Sequence, residues 1–251
     1  MGQNNQKDQK GPKMTAAVML VQNNQNNQKI WSSQISYTIL KVRYFWDTLY
    51  IIFSKAREEF AARLTLNGKL LERKKVTKIV GVFLEEKGGW AKNTAEICKS
   101  AYAKLGMLTK LKYAGVSTKD LLETYALFIR SRAEYVSVAF HSSLTKKQEK
   151  AIERIQSTCL KVILGDNYNN YDDALKRTGL KTLKQRREDK CLAFSLKCLK
   201  HPELRRLFPK NENAYTLRNK EEFKVNFAYT EDYRRSALPY CQQLLNKRTP
   251  T

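Results

Sequence analysis

From residue 90 onward the apolar positions recur at three- and four-residue steps, the spacing that lines one face of a helix. After the break at Gly88-Gly89, Trp90 opens a run in which Ile97, Ala101, Leu105, Leu108 and Leu111 share a face, ending near Lys112. A second helix is expected from Ser117, with Asp120 three residues on in a start that resembles a capping box. Leu121, Leu122, Tyr125, Phe128, Ile129, Tyr135 and Val136 give it a broad apolar face, which predicts a central position. Thr145-Lys146-Lys147-Gln148 is a full capping box for a third helix striped by Ile152, Ile155, Cys159, Val162 and Ile163, and Gly165 stops it. A short helix follows from about Asp172 to Arg177, with Asp172 read as its cap. Thr182-Leu183-Lys184-Gln185 then caps a fourth long helix carrying Leu192, Phe194, Leu196, Cys198 and Leu199, which Pro202 ends. Beyond Pro209 the chain is polar and weakly patterned until Ser236 to Tyr240, after which Cys241 to Leu245 has the makings of one helical turn.

Ahead of residue 90 the pattern changes. Leu64 to Leu84 reads LTLNGKLLERKKVTKIVGVFL, in which Leu64, Leu66 and Leu70 flank Asn67-Gly68, a pair that tolerates positive φ and predicts a β-hairpin. Lys78 to Leu84 is rich in β-branched residues and predicts one further strand, with Gly81 marking a bulge or a close backbone approach. Ile35 to Phe60 is apolar and basic by turns, and its periodicity does not decide between strand and helix. The Gln/Asn-rich tract of residues 1–34 lacks a core and predicts disorder. The expected fold class is therefore mainly α: a helical bundle preceded by a small antiparallel β element, with a disordered N-terminus. The expected divisions are 1–34, 35–89, 90–210 as the helical domain, and 211–251 as a C-terminal extension.

Charge narrows the partners. The 251 residues hold 47 Lys+Arg against 24 Asp+Glu, a net charge of +23, which points to a polyanion, nucleic acid first and an acidic membrane surface second. Met1 to Lys13 has no apolar run after its charges, so no signal peptide is expected. The most apolar window, Ile35 to Phe53, is interrupted by Lys41, Arg43 and Asp47, which argues against a membrane span. Five cysteines without a CxxC pair suggest reduced thiols and an intracellular protein, nuclear or cytoplasmic.

Several stretches taken together resemble the C-terminal part of reverse transcriptases of non-LTR (LINE-type, jockey-like) retrotransposons. They are Phe53 to Phe60, Leu64 to Lys69, Lys78-Ile79-Val80-Gly81-Val82, Gly89-Trp90, Phe128 to Tyr135, Ile152 to Gln156, Thr182-Leu183 with Arg186-Arg187, and Ser236 to Tyr240 with Leu244-Leu245-Asn246. The match runs from about Ile51 to the C-terminus. The resemblance implies that residues 35–89 are the edge of a polymerase palm and that Lys78, Val80, Gly81 and Val82 form its primer grip. It further implies that the helices from Trp90 are thumb-like and hold a template–primer duplex. Lys99, Lys104, Lys110, Lys112, Arg130, Arg132, Arg154, Arg186 and Arg187 are the candidate phosphate contacts, positioning a duplex without reading its sequence. RNA or an RNA/DNA hybrid is the implied partner, and no membrane partner is expected.

Polymerases of that family hold two Mg²⁺ ions on palm carboxylates, and no such set is evident here. Asp8 and Asp47, upstream of the grip, lie in no aromatic-x-Asp-Asp setting. Tyr171-Asp172-Asp173 is a decoy, because Asn170 stands where the aromatic residue of that box belongs. Mg²⁺ is expected only in an intact family member, and no cofactor or catalytic residue is assigned to this chain. Cys191, Cys198 and His201 fall short of the two short-spaced ligand pairs of a structural zinc site, so no metal is expected. His141 has no evident partner for nucleophilic chemistry. The reading is a truncated reverse transcriptase that binds nucleic acid and does not polymerise alone; the alternatives are a host-retained basic helical RNA/DNA-binding protein and a translated remnant without function.

Overall fold

The computed structural model describes residues 17–21, 38–43, 48–53, 65–66, 69–211, 222–228 and 230–248, with side chains from Leu70 onward. The chain divides into two compact units, residues 1–89 and 90–251.

The first unit is built of strands. β1 (Ala17–Val21), β2 (Thr38–Arg43) and β3 (Thr48–Phe53) form an antiparallel meander, with Ala17 opposite Arg43 and Thr38 opposite Phe53. β1 corrects the reading of residues 1–34 as wholly disordered: AVMLV is the one apolar run in that tract, and it supplies a strand. The rest of the tract lies outside the described residues. β2 and β3 also resolve the ambiguous Ile35 to Phe60 segment toward β structure. β4 (Thr65–Leu66) pairs with β5 (Lys69–Leu70), Leu66 opposite Lys69, as expected of strands flanking Asn67-Gly68. β6 (Glu72–Arg73) runs parallel to β3.

The segment expected to be one strand from Lys78 to Leu84 is instead a second hairpin. β7 (Val76–Ile79) and β8 (Val82–Glu85) pair with Ile79 opposite Val82, leaving Val80-Gly81 as a two-residue turn. Both turn residues have positive φ, 47° at Val80 and 80° at Gly81, as a type I′ turn requires. Gly81 therefore serves the turn and not a bulge. The lapse in reading it came from Val80, because a β-branched residue is strained in the left-handed region and gives no turn signal.

The second unit is mainly helical. α1 (Ala91–Tyr113) packs lengthwise on α5 (Lys146–Leu164). Between them α2 (Thr118–Thr124) passes without a break into a π-helical turn, Tyr125–Arg130, and α3 (Ser131–Ala133); α4 (Ser137–Phe140) follows. α6 (Tyr171–Thr178), α7 (Leu183–Lys200), α8 (Pro202–Arg205), α9 (Glu231–Arg234) and α10 (Ala237–Arg248) complete it. The starts are capped as the sequence predicts: Ser117 accepts from the Asp120 amide, and Thr145 with Gln148 and Thr182 with Gln185 form reciprocal capping boxes. The cap of α6 is Asn170, whose side chain accepts from the Asp173 amide, so Asp172 lies inside the first turn instead.

Two apolar clusters hold the unit. Ile97, Ala101 and Leu108 of α1, Leu121, Tyr125 and Ile129, and Ile152, Ile155, Cys159, Leu160 and Ile163 of α5 form the larger, with Trp90 against Phe140 at 5.8 Å between ring centroids. Cys191 and Cys198 of α7, Phe208, Phe223 and Cys241, Leu244 and Leu245 of α10 form the smaller. Helix α7 is turned from its expected orientation. Its buried line is Leu183, Arg187, Cys191, Ser195 and Cys198, while Phe194 is exposed and Leu192, Leu196 and Leu199 are half-buried. α7 packs against α4, α5 and α10, with the small residues Cys191, Ser195 and Cys198 on its buried line. Among the described residues, no helix is long and apolar enough to cross a membrane.

Replacing Val80 with Asn restores the residue that type I′ turns favour. Val80→Asn is expected to stabilise the β7–β8 hairpin by about 1 kcal/mol, read as slower amide exchange of hairpin residues; unchanged or faster exchange counts against the assigned turn.

Candidate nucleic-acid interface

The basic side chains singled out from the sequence fall into three settings. On α1, Lys99 and Lys110 are exposed and lie three helical turns apart on the outer face, with Ala103 and Gly106 between them. Space beside Gly106 is open, so this ridge is low and ends in a lysine at each side. Lys104 is half-buried and donates from Nζ to the Phe128 carbonyl at 2.9 Å. The Lys112 stem passes 3.9 Å from where a Cβ on Gly165 would stand, at the end of α5. Arg154 is exposed on α5, and the Arg132 guanidinium lies 5.8 Å from the centre of the Tyr135 ring.

The second setting is a cluster around one carboxylate. Glu134, 4% exposed, is hydrogen-bonded by Arg186 through Nε and, at 3.2 Å, through Nη2. Lys190 Nζ lies 2.8 Å from its other oxygen and Arg130 Nε 3.7 Å away. Burial would push the Glu134 carboxyl up, but the hydrogen bonds from Arg186 and Lys190 outweigh it and hold the group below its usual range. Three cations share one anion, so the cluster keeps a positive surplus at the surface, where Arg186 and Lys190 remain partly exposed.

The third setting removes a candidate. Arg187 is 0% exposed, so it does not reach a phosphate at the surface. Its Nε donates to His141 Nδ1 at 3.4 Å, and both terminal nitrogens are buried without a hydrogen-bond partner among the described residues. Accepting at Nδ1 leaves the ring proton on His141 Nε2, which lies 3.2 Å from the Tyr240 hydroxyl. Burial first, and the Arg187 charge second, push His141 down to about 4.

The grip-like residues divide between the surface and the interior. Lys78 is exposed, with Nζ 5.4 Å from the centre of the Phe83 ring, and Val80 projects from the turn. Val82 is buried, which takes it out of reach of a ligand. Of the four, Lys78, Val80 and Gly81 remain at the turn end of the hairpin.

The decoys resolve into structural roles. Asp173 pairs with Arg177 at 2.8 Å, and Asp172 borders a cleft of about 580 Å³ with Leu175, Lys176, Gly179, Leu180, Thr182 and Gln185. Cys191, Cys198 and Cys241 meet in the smaller apolar cluster while His201 is exposed at the end of α7. No group of three or more His, Cys, Asp or Glu is arranged to hold a metal among the described residues.

Sequence reasoning missed the residues that organise this surface. Gln156 is fully buried: its carbonyl accepts from Tyr125 at 2.7 Å, and its amide donates to Tyr171 and to the Lys181 carbonyl at 3.0 Å. Glu153, bonded by the Tyr171 hydroxyl, accepts from the Leu183 amide at 2.9 Å and the Lys184 amide at 3.1 Å, capping α7 from α5. A Gln in the apolar stripe of α5, one turn from a Glu, was the available signal. Compared with protein-family models, curated proteins and solved structures, the chain finds no match.

Removing the shared anion tests the cluster. Glu134→Gln is expected to cost about 2 kcal/mol at neutral pH, below the fully buried value because two of the cations are partly solvated. The stability the carboxylate contributes is present above its unfolded value of about 4.3 and is lost as pH falls through the lower folded value, so the two proteins should converge in acid. A constant difference down to strongly acidic pH would count against the charge assignment.

His141 makes a second pH window. Between 6.5 and about 4 the unfolded chain binds a proton on this residue that the folded chain refuses, so stability should fall as pH drops through that range. The other histidine, His201, is exposed, and His141→Asn is expected to flatten the profile there; a wild-type slope that survives the substitution would overturn the assignment.

Proposed function

We propose that this chain is the grip-and-thumb part of a reverse transcriptase of the non-LTR (LINE-type, jockey-like) class, and that it holds a template–primer duplex of RNA and DNA without polymerising alone. The observation that carries the reading is the arrangement of cations on the helical unit. Lys99 and Lys110 flank a low ridge on α1, and Arg130, Arg186 and Lys190 crowd a single buried carboxylate. Among the described residues Lys99 and Lys110 make no ion pair and three cations share the one Glu134 carboxylate, a surplus of the kind that phosphate contacts and counterion release require.

Further support comes from the stretches that carry the family resemblance, because they contact one another. Glu134, of Phe128 to Tyr135, binds Arg186, and Glu153, of Ile152 to Gln156, caps Leu183. Residues of one thumb-like domain would be spaced this way in sequence because they serve one packed unit.

The purified chain is expected to bind an RNA/DNA hybrid at low salt, with log affinity falling linearly against log salt. Lys99→Ala with Lys110→Ala should lower that slope by about 2. A flat salt dependence or no binding would overturn the reading. With Mg²⁺ and deoxynucleotides no primer extension is expected, and measurable extension would sink that half of the proposal.

A further inference from the structure

The π-helical turn Tyr125–Arg130 changes which side chains the central helix buries. Buried positions run Leu121, Tyr125, Ile129 and Ala133, four residues apart each time, and the wider turn accommodates that spacing. Leu127 and Phe128 are carried outside as a result, 61% and 50% exposed, and Tyr135 and Val136 beyond the end of α3 are exposed as well. The expected burial of Phe128, Tyr135 and Val136 is thus corrected: Phe128 lies in the π-helical turn, and Tyr135 and Val136 lie past the end of α3. Val136 has a φ of 50°, a strained value for a β-branched residue that directs the chain from α3 into α4.

The stretch from Leu127 to Val136 thus exposes apolar and aromatic side chains among cations. Lys104 Nζ bonds the Phe128 carbonyl at 2.9 Å, Arg132 lies against the Tyr135 ring, and Arg130 sits on the same stretch. The carboxylates between Thr118 and Val136 are at its far end, Asp120 and Glu123, or buried under Arg186, Glu134. Exposed rings beside cations match the chemistry of an unpaired base on its phosphate backbone: the ring offers a stacking face and the cations meet the phosphates. A duplex hides its base faces and has no use for such rings.

We propose that Phe128 and the Arg132–Tyr135 pair form a stacking platform for single-stranded nucleic acid. The inference rests on the nucleic-acid reading above, and goes beyond it by assigning a second site, for unpaired bases, on a different part of the helical unit from the α1 ridge.

The test uses the full chain, a single-stranded dodecamer of thymidine, an abasic dodecamer of the same charge, the RNA/DNA hybrid, and vesicles rich in phosphatidylserine. Wild type should bind the thymidine strand roughly tenfold more tightly than the abasic strand. Phe128→Ala should bring the two together while leaving hybrid affinity and its salt slope unchanged. Phe128 is half-exposed, so the thermal midpoint should hold; should it fall, Phe128→Leu keeps the apolar volume and is expected to lose the preference, with Phe128→Tyr restoring it. Equal affinity of wild type for the two strands, with the hybrid still bound, overturns the platform alone. Binding of no nucleic acid at low salt overturns both readings. A Phe128→Ala variant that loses vesicle binding and keeps its preference for bases makes the patch a lipid contact and overturns the proposal.

Discussion

The helical unit depends on one buried polar network. Tyr125, Gln156, Tyr171 and Glu153 are linked by hydrogen bonds between the π-helical turn, α5 and α6, and the Glu153 carboxylate reaches the first amides of α7. A buried amide that loses a partner costs more than a formed hydrogen bond contributes, so each of these groups constrains the placement of the others. The Tyr125 hydroxyl meets Gln156 only with the helix at that depth, and α7 starts where Glu153 can cap it. The network thereby sets where Arg186 emerges to meet Glu134 and where Arg187 enters the interior.

The consequence for charge is a division of labour among residues that look alike in sequence. Arg186 and Arg187 are neighbours, yet one bridges to a carboxylate at the surface and the other is sealed against His141. A buried guanidinium with two unpartnered nitrogens is expensive, and the nearest compensation is the long-range field of Glu153, Glu149 and Glu134. The uncharged state of His141 follows, since burial disfavours its charge and a second cation at that place would also face Arg187. Among the described residues positive charge is thus distributed unevenly: part is consumed by the fold, as at Arg187, and part stands at the surface, on α1 and around Glu134 among other places.

Much of the helical unit was legible in the chain because its signals are local. Ser117, Thr145 and Thr182 are capped as their spacing to the third residue demands, and the i, i+3, i+4 stripes of α1 and α5 lie in the core. The Asn67-Gly68 hairpin was legible for the same reason. Three features were not. Val80 gives no sign that it will adopt positive φ, so the β7–β8 hairpin read as one strand. The π-helical turn has no composition of its own, and α7 buries Arg187 and Ser195 in place of Phe194 because what packs against the helix, and not its own apolar count, sets its buried line. The candidate interface was legible as a list of cations and illegible as a surface, since Arg187 and Val82 turned inward and Glu134 became its organising residue.

The sequence by itself determined the charge surplus, the helical character after residue 90, the helix starts and the presence of apolar stripes, all of which depend on residues a few positions apart. Only the tertiary structure decided which cations remain at the surface, how the central helix is wound, and which aromatic rings are left outside. These are set by contacts between residues far apart in the chain, Tyr125 with Gln156, Glu134 with Arg186 and Arg187 with His141. A local pattern cannot encode them, because satisfying a buried polar group depends on what the fold brings next to it.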